Sequence, residues 1–461
     1  MAITKHLTLA QLIEEETGNN IYLCYQCKKC TSGCPLSEHF DLEPHRIMRA
    51  LQLGRDELAL SSATIWLCAC CQTCTTRCPE GLDVARIMDR LKMVALERGI
   101  RPRVPEVALF NRAFLRGVKF LGRSYELGLV GERNLRTGQP FKDLSLGLEL
   151  LRKGKLGVMP PFVRQPRRVA PRAKPDQVAY YPGCSLHSVS SEFDISTRAV
   201  FSELGIDLVE PRGWTCCGST PAHSTDHLLA MRLSLNNLAL IEREGFSQVV
   251  APCASCFSRF KAALWDARRE PQLKERLDQE RGYNFRGAVE VKHILQLLEE
   301  WRDEISGRVK VPLEDLRVVS YYGCLLTRPP QITEAQEPEY PMVMDHLVEA
   351  LGATSLDWSY KTDCCGATLS LSKTELALEL SVKILRDAKA VGADLVAVAC
   401  PLCHTNLDSR QGQMGLEFQM PILYITQLVG LSMGIERLGL EKHLVDPRGV
   451  LQDRGLLGQE P

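Results

Sequence analysis

The sequence lacks a net charge, because 56 lysines and arginines are balanced by 56 aspartates and glutamates. Proteins that bind nucleic acid neutralise phosphates with an excess of basic side chains, so we expect no nucleic-acid partner. No uninterrupted apolar stretch reaches the roughly 18 to 20 residues that cross a bilayer. The first twenty residues are acidic and lack the apolar core of a secretory signal. We therefore expect a cytoplasmic protein that contacts a membrane, if at all, only through a partner.

What the sequence does have is cysteine, with 19 residues. An odd number arranged as C-x-x-C and CC pairs does not suit a disulfide framework, and cytosolic thiols stay reduced. Clustered spacings of this kind indicate metal ligation. The length of 461 residues and the apolar content of 45% allow two or three globular domains.

Two cysteine runs near the N-terminus share one spacing, and a proline follows the last cysteine of each. In two-cluster ferredoxins, three closely spaced thiolates hold one cubane cluster and the fourth cysteine reaches the other cluster. The runs therefore predict one [4Fe-4S] cluster on Cys24, Cys27, Cys30 and Cys78, and another on Cys68, Cys71, Cys74 and Cys34. Structural zinc is the alternative, but it favours two C-x-x-C pairs. Cys70 falls outside the pattern and is predicted to be a small buried residue.

Composition divides the chain into regions. Residues 1–100 alternate ligand loops with amphipathic helical segments, such as the one over residues 84–95, and predict an α-helical ferredoxin-like domain. Residues 101–176 contain no cysteine, and 17 lysines and arginines stand against 6 acidic residues. This stretch is either a solvated helical or partly extended connector, or a docking strip for an acidic partner surface.

The remainder of the chain is an internal duplication, with copies at 177–310 and 311–435. Tyr180-Tyr181 recurs as Tyr321-Tyr322, and five cysteines recur in order and spacing. They are Cys184, Cys216, Cys217, Cys253 and Cys256 in the first copy, and Cys324, Cys364, Cys365, Cys400 and Cys403 in the second. β-rich runs alternate with amphipathic helices, which predicts parallel α/β packing with the cysteines at strand ends. The duplication also predicts a pseudo-two-fold arrangement, and residues 436–461 are predicted to be a C-terminal tail.

The five-cysteine pattern resembles the CCG domains of the catalytic subunit of heterodisulfide reductase. The N-terminal half is similar to the same enzyme's small ferredoxin-like subunit, including Gly154-Lys155-Leu156. Residues 1–435 therefore look like a fusion of the two subunits. In that family each five-cysteine set holds a noncubane [4Fe-4S] cluster, and the two clusters flank the disulfide of coenzyme M and coenzyme B. The resemblance implies two cubane and two noncubane clusters, with eighteen cysteines as iron ligands.

The function implied by this resemblance is reduction of a disulfide to two thiols, or the reverse, in a complex with an electron-donating flavoprotein. Cleavage of a disulfide takes two electrons and leaves two thiolates, which are strong ligands for iron. One alternative is an electron-transfer subunit that serves a quinone or a membrane cytochrome module. Another is a scaffold in which one five-cysteine set holds zinc.

Histidines near the cysteines are candidates for protonating a departing thiolate. His404, next to Cys403, is the preferred candidate, and His187 and His223 are the others. A supporting or surface role is the alternative for each of them.

Overall fold

The computed structural model describes residues 7–166, 168–174 and 176–458. The first six residues of the predicted N-terminal domain and the last three of the predicted tail lie outside the described residues, as do connector residues 167 and 175. The N-terminal region is helical, as predicted, with single 3-10 turns at Ile21–Leu23 and Ser37–His39. Its helices are α1 (Leu9–Thr17), α2 (Lys29–Ser32), α3 (Pro44–Gln52), α4 (Asp56–Leu60), α5 (Thr64–Leu67), α6 (Thr73–Thr76) and α7 (Val84–Glu97).

Helix α7 is the amphipathic segment that the sequence predicts. It begins after Asp83, whose side chain accepts a hydrogen bond from the Arg86 N–H. Its buried apolar side chains recur every three or four residues and face the other N-terminal helices. They include Val84, Ile87, Met88, Leu91 and Val94.

The connector forms three helices, α8 (Pro105–Leu121), α9 (Glu126–Arg136) and α10 (Leu144–Arg152). Gly122 ends α8 with φ +80°, and a Cβ atom there would lie 2.2 Å from the Val163 carbonyl oxygen. Only glycine permits this close approach, which lets Phe162 form a β-bridge with Gly122. The predicted connector is therefore helical as far as Arg152 and mostly extended in its remaining described residues.

Each repeat alternates strands with helices. The first contains β1 (Gln177–Tyr180), α11 (Gly183–Leu186), α12 (Ser191–Glu203), β2 (Asp207–Val209), α13 (Ser219–His223), α14 (His227–Arg243), β3 (Gln248–Ala251), α15 (Ala254–Arg269), α16 (Pro271–Arg281), β4 (Glu290–His293), α17 (Ile294–Glu300) and α18 (Arg302–Gly307). The second contains β5 (Arg317–Tyr321), α19 (Pro330–Thr333), α20 (Val343–Ala350), β6 (Thr354–Ser355), a 3-10 turn (Ala367–Leu369), α21 (Thr374–Ala390), β7 (Leu395–Val398), α22 (Pro401–Asp408), a 3-10 turn (Gln411–Gln413), β8 (Ile422–Tyr424) and α23 (Ile425–Ser432).

The strands form two four-stranded parallel sheets of the same order, β2-β1-β3-β4 and β6-β5-β7-β8. The central strands β3 and β7 are almost wholly buried, because helices cover both faces of a parallel sheet. Each of these two strands ends two residues before a C-x-x-C pair, which begins at Cys253 in one repeat and at Cys400 in the other. The predicted parallel α/β architecture is thus present in both repeats, while their pseudo-two-fold relation stays a prediction.

The two repeats share one apolar core. Helix α12 packs on α23, where the Phe193 and Tyr424 rings stack with centroids 4.0 Å apart. The segment predicted as a tail continues into this core through a 3-10 turn (Leu440–Lys442) and α24 (Arg448–Asp453). Leu438 and Leu451 are buried there. The described residues after 435 are therefore part of the folded second repeat.

A buried ion pair fastens the connector to the first repeat. The Lys155 Nζ atom, from the connector, lies 2.7 Å from the Glu192 Oε1 atom of α12, and both side chains are wholly buried. Burial of this kind requires pairing, because an isolated charge in the interior is costly. The pair therefore fixes where the connector meets the repeat.

Replacing Lys155 by Met should lower the free energy of unfolding by roughly 3–5 kcal/mol, because the Glu192 carboxylate loses its buried partner. Burial raises the pKa of Glu192 and Lys155 opposes that rise. Without Lys155, the Glu192 carboxylate is stable in the folded chain only when it is protonated, and protonation becomes less favourable as pH rises. The loss of unfolding free energy should therefore be greater at about pH 8 than at about pH 5. Denaturant unfolding under anaerobic conditions measures both values.

Lys383→Met is the matched control, because it breaks an exposed pair with Glu379. That variant should lose less than about 1 kcal/mol. Equal losses in the two variants would contradict the anchoring role of Lys155.

Candidate iron-sulfur sites

The first ferredoxin-type run lies around a small cavity. Gln26 and Lys28, which separate its cysteines, both have left-handed backbone, with φ of 64° and 67°. These turns curl the loop so that its first three cysteines face a common point. The cysteines lining the cavity are Cys24, Cys27, Cys30 and Cys78.

The second run repeats this arrangement around another small cavity. Cys70 and Gln72 hold the left-handed positions here, with φ of 54° and 62°. Cys70 is buried, as predicted, and its thiol donates to Asp89 Oδ1 at 3.4 Å. The cysteines lining this cavity are Cys34, Cys68, Cys71 and Cys74. The structure therefore brings together the two groups that the spacing predicts, with the fourth cysteine of each run exchanged. Iron binding by them stays a prediction.

The five cysteines of the first repeat, here called the first CC set, also converge. Cys217 Sγ lies 3.3 Å from Cys256 Sγ, and Cys216 lies within hydrogen-bonding distance of Cys184. Hydrogen bonds from Cys216 and Cys256 lower the pKa of Cys217, which favours a thiolate at the centre of the set. A thiolate is the form that binds metal. Cys253 completes the set beside Cys256.

The second CC set repeats these contacts. Cys364 lies within hydrogen-bonding distance of Cys324, and Cys403 lies within that distance of both Cys365 and Cys400. The glycine after each CC pair has the same role: the Gly218 and Gly366 N–H groups each donate to the first sulfur of the pair at 3.4 Å. Both glycines have positive φ, which an L side chain rarely adopts.

One buried tyrosine in each repeat fixes the loop before the CC pair. The Tyr181 hydroxyl donates to the Thr215 carbonyl, and the Tyr321 hydroxyl donates to the Asp363 carbonyl, both at 2.6 Å. Aligning the two repeats by sequence alone pairs Tyr180-Tyr181 with Tyr321-Tyr322. That alignment is wrong by one residue. The structurally equivalent tyrosines are Tyr181 and Tyr321, each of which lies three residues before the first cysteine of its repeat.

The four cysteine groups form a row. The two ferredoxin-type cavities share Val84 as a lining residue. Cys71 of the second cavity lies within hydrogen-bonding distance of Cys364 in the second CC set. That set in turn meets the first CC set, because Cys400 and Cys253 lie within the same distance of each other. Cys27, at the other end of the row, is exposed. Redox groups held at these four places would connect the surface with the first CC set.

A largely apolar chamber of about 280 Å³ covers the first CC set. The connector forms its roof through side chains such as Phe110, Phe114, Leu127 and Leu150. All five cysteines of the first CC set line it, and so do residues of the loops and helices that follow the second set's cysteines. The described residues that line the chamber do not include the cysteines of the second CC set. The chamber therefore opens directly onto the first CC set, and a group held by that set would face the connector across it.

Glu126 is a polar residue of the chamber that the sequence reasoning missed. Burial raises its pKa to about 6, and the Ser188 hydroxyl donates to its carboxylate at 2.9 Å. A carboxyl group with this pKa gains and loses its proton near neutral pH. The only sequence signal was an isolated acid followed by apolar residues in a basic, cysteine-free stretch.

The histidines lie at three different places. His404 is wholly buried outside the chamber lining, with Nε2 3.0 Å from both the Ile422 carbonyl oxygen and His443 Nδ1. Burial holds the pKa of His404 well below its usual range. His223 Nδ1 lies 2.6 Å from Asp89 Oδ2, which links the first repeat to the N-terminal helices. His187 contacts Glu210 beside Trp214. A role for His404 as proton donor stays a prediction.

Comparison with known proteins agrees with this geometry. The family model of a 4Fe-4S dicluster domain matches residues 23–83. The family model of the cysteine-rich CCG domain matches twice, at residues 178–261 and 318–408. The chain is 31% identical over 279 residues to the 8-methylmenaquinol:fumarate reductase membrane anchor subunit of Wolinella succinogenes, covering 59% of this chain and 97% of that protein. It belongs to the CCG-domain family.

Other relatives of this CCG-domain protein are heterodisulfide reductase subunits. One, from the ferredoxin:CoB-CoM heterodisulfide reductase of Methanosarcina mazei, is 29% identical, covering 59% of this chain and 94% of that protein. Another, from the dihydromethanophenazine:CoB-CoM heterodisulfide reductase of Methanosarcina acetivorans, is 28% identical, covering 61% and 64%. The CCG-domain protein is thus an iron-sulfur subunit of the heterodisulfide-reductase type. The fold is also similar to a crystal structure of a hypothetical protein from Helicobacter pylori, with a TM-score of 0.50 and 14% identity over 70% of this chain and 61% of that one.

A glycine beside the second CC set offers a test of cysteine convergence. Gly323 has φ +69°, and a Cβ atom there would lie 2.9 Å from Cys403 Sγ. Gly323→Ala should therefore push Cys403 aside and lower the iron content of the CCG-domain protein after anaerobic purification. Gly54→Ala is the matched control: its φ is +65°, but nothing lies within 4 Å of the added atom. The two variants share a backbone strain of roughly 1–2 kcal/mol, so equal iron loss in both would refute the contact argument.

Proposed function

We propose that this CCG-domain protein reduces a disulfide to two thiols, or catalyses the reverse reaction, at the first CC set. The observation that carries the proposal is the chamber, because all five cysteines of that set line this one partly open space. Two cubane [4Fe-4S] clusters would occupy the ferredoxin-type cavities, and two noncubane clusters would occupy the CC sets. When bound, these clusters supply single electrons and iron sites with affinity for thiolate sulfur.

The row of cysteine groups supports a direction for electron transfer. Its outer end lies at the exposed Cys27, beside the exposed apolar side chains of Tyr22, Leu23 and Tyr25. Exposed apolar patches of this kind mark protein interfaces. A flavoprotein subunit docked there would deliver electrons at this end, and the chamber lies at the other. A cluster held by the second CC set would then relay electrons, because that set lies between the ferredoxin-type cavities and the first CC set.

The connector also supplies a group that can donate a proton in the proposed reaction. Reduction of R–S–S–R′ consumes two electrons and two protons and yields RSH and R′SH. Glu126 lines the chamber and is held by Ser188, so its carboxyl group is placed to give one proton to a departing thiolate. His404 lies within α22 and contacts His443, a position that suits support of this helix beside Cys403.

The second candidate function is electron transfer to a quinone. The apolar roof favours it, because a quinone ring and its isoprenoid tail are apolar. The Wolinella relative is named for a menaquinol-dependent reductase. Both functions use the same cysteines, so the substrate that binds in the chamber distinguishes them.

The test of the proposed function is direct bonding of substrate sulfur at the first CC set. A thiol labelled with a magnetic sulfur isotope should broaden the paramagnetic resonance of the half-oxidised protein, because thiolate is a strong iron ligand. Cys217→Ala should abolish the broadening, whereas Cys71→Ala should preserve it and lose only electron delivery from the outer end. No broadening with a range of thiols, combined with a spectral change on adding a short-chain naphthoquinone, would select the quinone function instead.

Glu126→Gln should change the pH profile of disulfide reduction driven by a reduced viologen. The pKa of Glu126 is about 6, so the wild-type chain carries the proton below that pH and its rate should fall as pH rises through it. The rate of the Gln variant should no longer fall as pH rises through this value, and at acidic pH it should be lower than the wild-type rate by a factor on the order of 10². Glu149→Gln removes an exposed acid of the same connector and should keep the wild-type profile. An unchanged fall in rate in Glu126→Gln would assign the proton to another group.

A further inference from the structure

The outer surface of the connector carries an unusual concentration of exposed apolar side chains. Half of the eighteen large apolar side chains that are exposed in the described part of the chain lie between residues 120 and 162. Met159, Phe141 and Phe162 are 84%, 78% and 77% exposed. We call the nine together the apolar strip: Phe120, Leu135, Phe141, Leu144, Leu148, Leu151, Val158, Met159 and Phe162.

Helix α10 shows that the apolar strip is distinct from the chamber. Leu146 and Leu150 line the chamber below, while Leu144, Leu148 and Leu151 are exposed on the outside. Exposed apolar side chains grouped in this way mark an interaction site. The described part of the chain covers the chamber side of α10 and leaves the leucines on its outer side exposed.

Hydrogen bonds join the parts of the apolar strip. The Tyr125 hydroxyl donates to the Val158 carbonyl at 2.7 Å, and the Val163 N–H donates to the Leu121 carbonyl at 2.9 Å. These bonds place the segment after α10 beside the end of α8. At the other end of α9, the Asn134 side chain donates to the Lys142 carbonyl. The strip therefore runs along the α9–α10 hairpin and back to α8.

The charges around the apolar strip favour one kind of occupant, although Arg116 and Arg136 also pair with Glu132. Among the described residues 112–168, seven basic side chains are exposed, but Glu149 is the one exposed acid. The basic residues are Arg112, Arg116, Lys119, Arg136, Arg152, Arg164 and Arg168. Bulky apolar side chains surrounded by lysine and arginine are typical of surfaces that lie in the headgroup region of an anionic bilayer. No described helix is long and apolar enough to cross a membrane, so contact of this kind would be interfacial.

We propose that the apolar strip binds the surface of an anionic lipid bilayer and holds the roof of the chamber against it. The apolar side chains enter the headgroup boundary and the basic side chains contact anionic lipid. This binding is independent of the proposed reaction, because it uses the outer face of the connector and none of the cysteines. It differs from the expectation from the sequence that any membrane contact comes only through a partner, and vesicle binding distinguishes the two.

Sedimentation with vesicles tests this proposal on the full anaerobically purified chain. The chain should bind vesicles of phosphatidylcholine containing about one third phosphatidylglycerol, bind pure phosphatidylcholine more weakly, and be partly released by salt. The triple variant Phe141→Ser, Leu148→Ser and Met159→Ser should bind the anionic vesicles at least about tenfold more weakly. Its iron absorbance should match the wild type, since the three side chains face outward.

The matched control replaces three exposed leucines of the N-terminal region, Leu53→Ser, Leu58→Ser and Leu96→Ser, and should bind vesicles as the wild type does. Absence of wild-type binding to anionic vesicles would overturn the proposal, as would equal binding by wild type and strip variant. If the strip variant instead loses a copurifying protein while vesicle binding is unchanged, the strip is a protein interface and the proposal is wrong.

Discussion

The convergence of cysteine side chains from distant points of the chain is the constraint on which the rest of this structure depends. Sulfur atoms as close as those of Cys217 and Cys256 repel one another as thiolates unless a cation lies between them. The fold nevertheless holds them together, with glycines of positive φ after each CC pair and a tyrosine hydroxyl before it. The parallel sheets serve the same end, because they deliver Cys253 and Cys400 from buried strand ends.

The sequence predicts most of what local spacing determines. The exchange of Cys34 and Cys78 between the two ferredoxin-type groups follows from three close cysteines and a redirecting proline. The parallel sheets follow from alternating β-rich and helical runs. The register of Tyr181 and Tyr321 was misjudged because two adjacent tyrosines offer two alignments, and only the distance to the cysteine distinguishes them.

Properties that arise between distant segments were not predictable in this way. The spacing of cysteines along the sequence does not predict that Cys71 lies against Cys364. The distance between these two residues depends on how the N-terminal helices pack on the second repeat. Glu126 and the chamber were missed for the same reason: the connector covers the first CC set only after folding. Its excess of basic residues indicates a solvated connector or a docking strip, whereas the structure adds that one face of the connector forms a wall of the chamber.

The contact between Cys253 and Cys400 has an evolutionary consequence. Duplication normally frees one copy of a domain to accumulate changes while the other copy keeps the original role. Here each repeat supplies part of its sibling's immediate surroundings, so a substitution that removes a sulfur from one copy also alters the environment of the other. Such paired domains should drift together, and a lineage that abandons one set should show compensating substitutions across the contact.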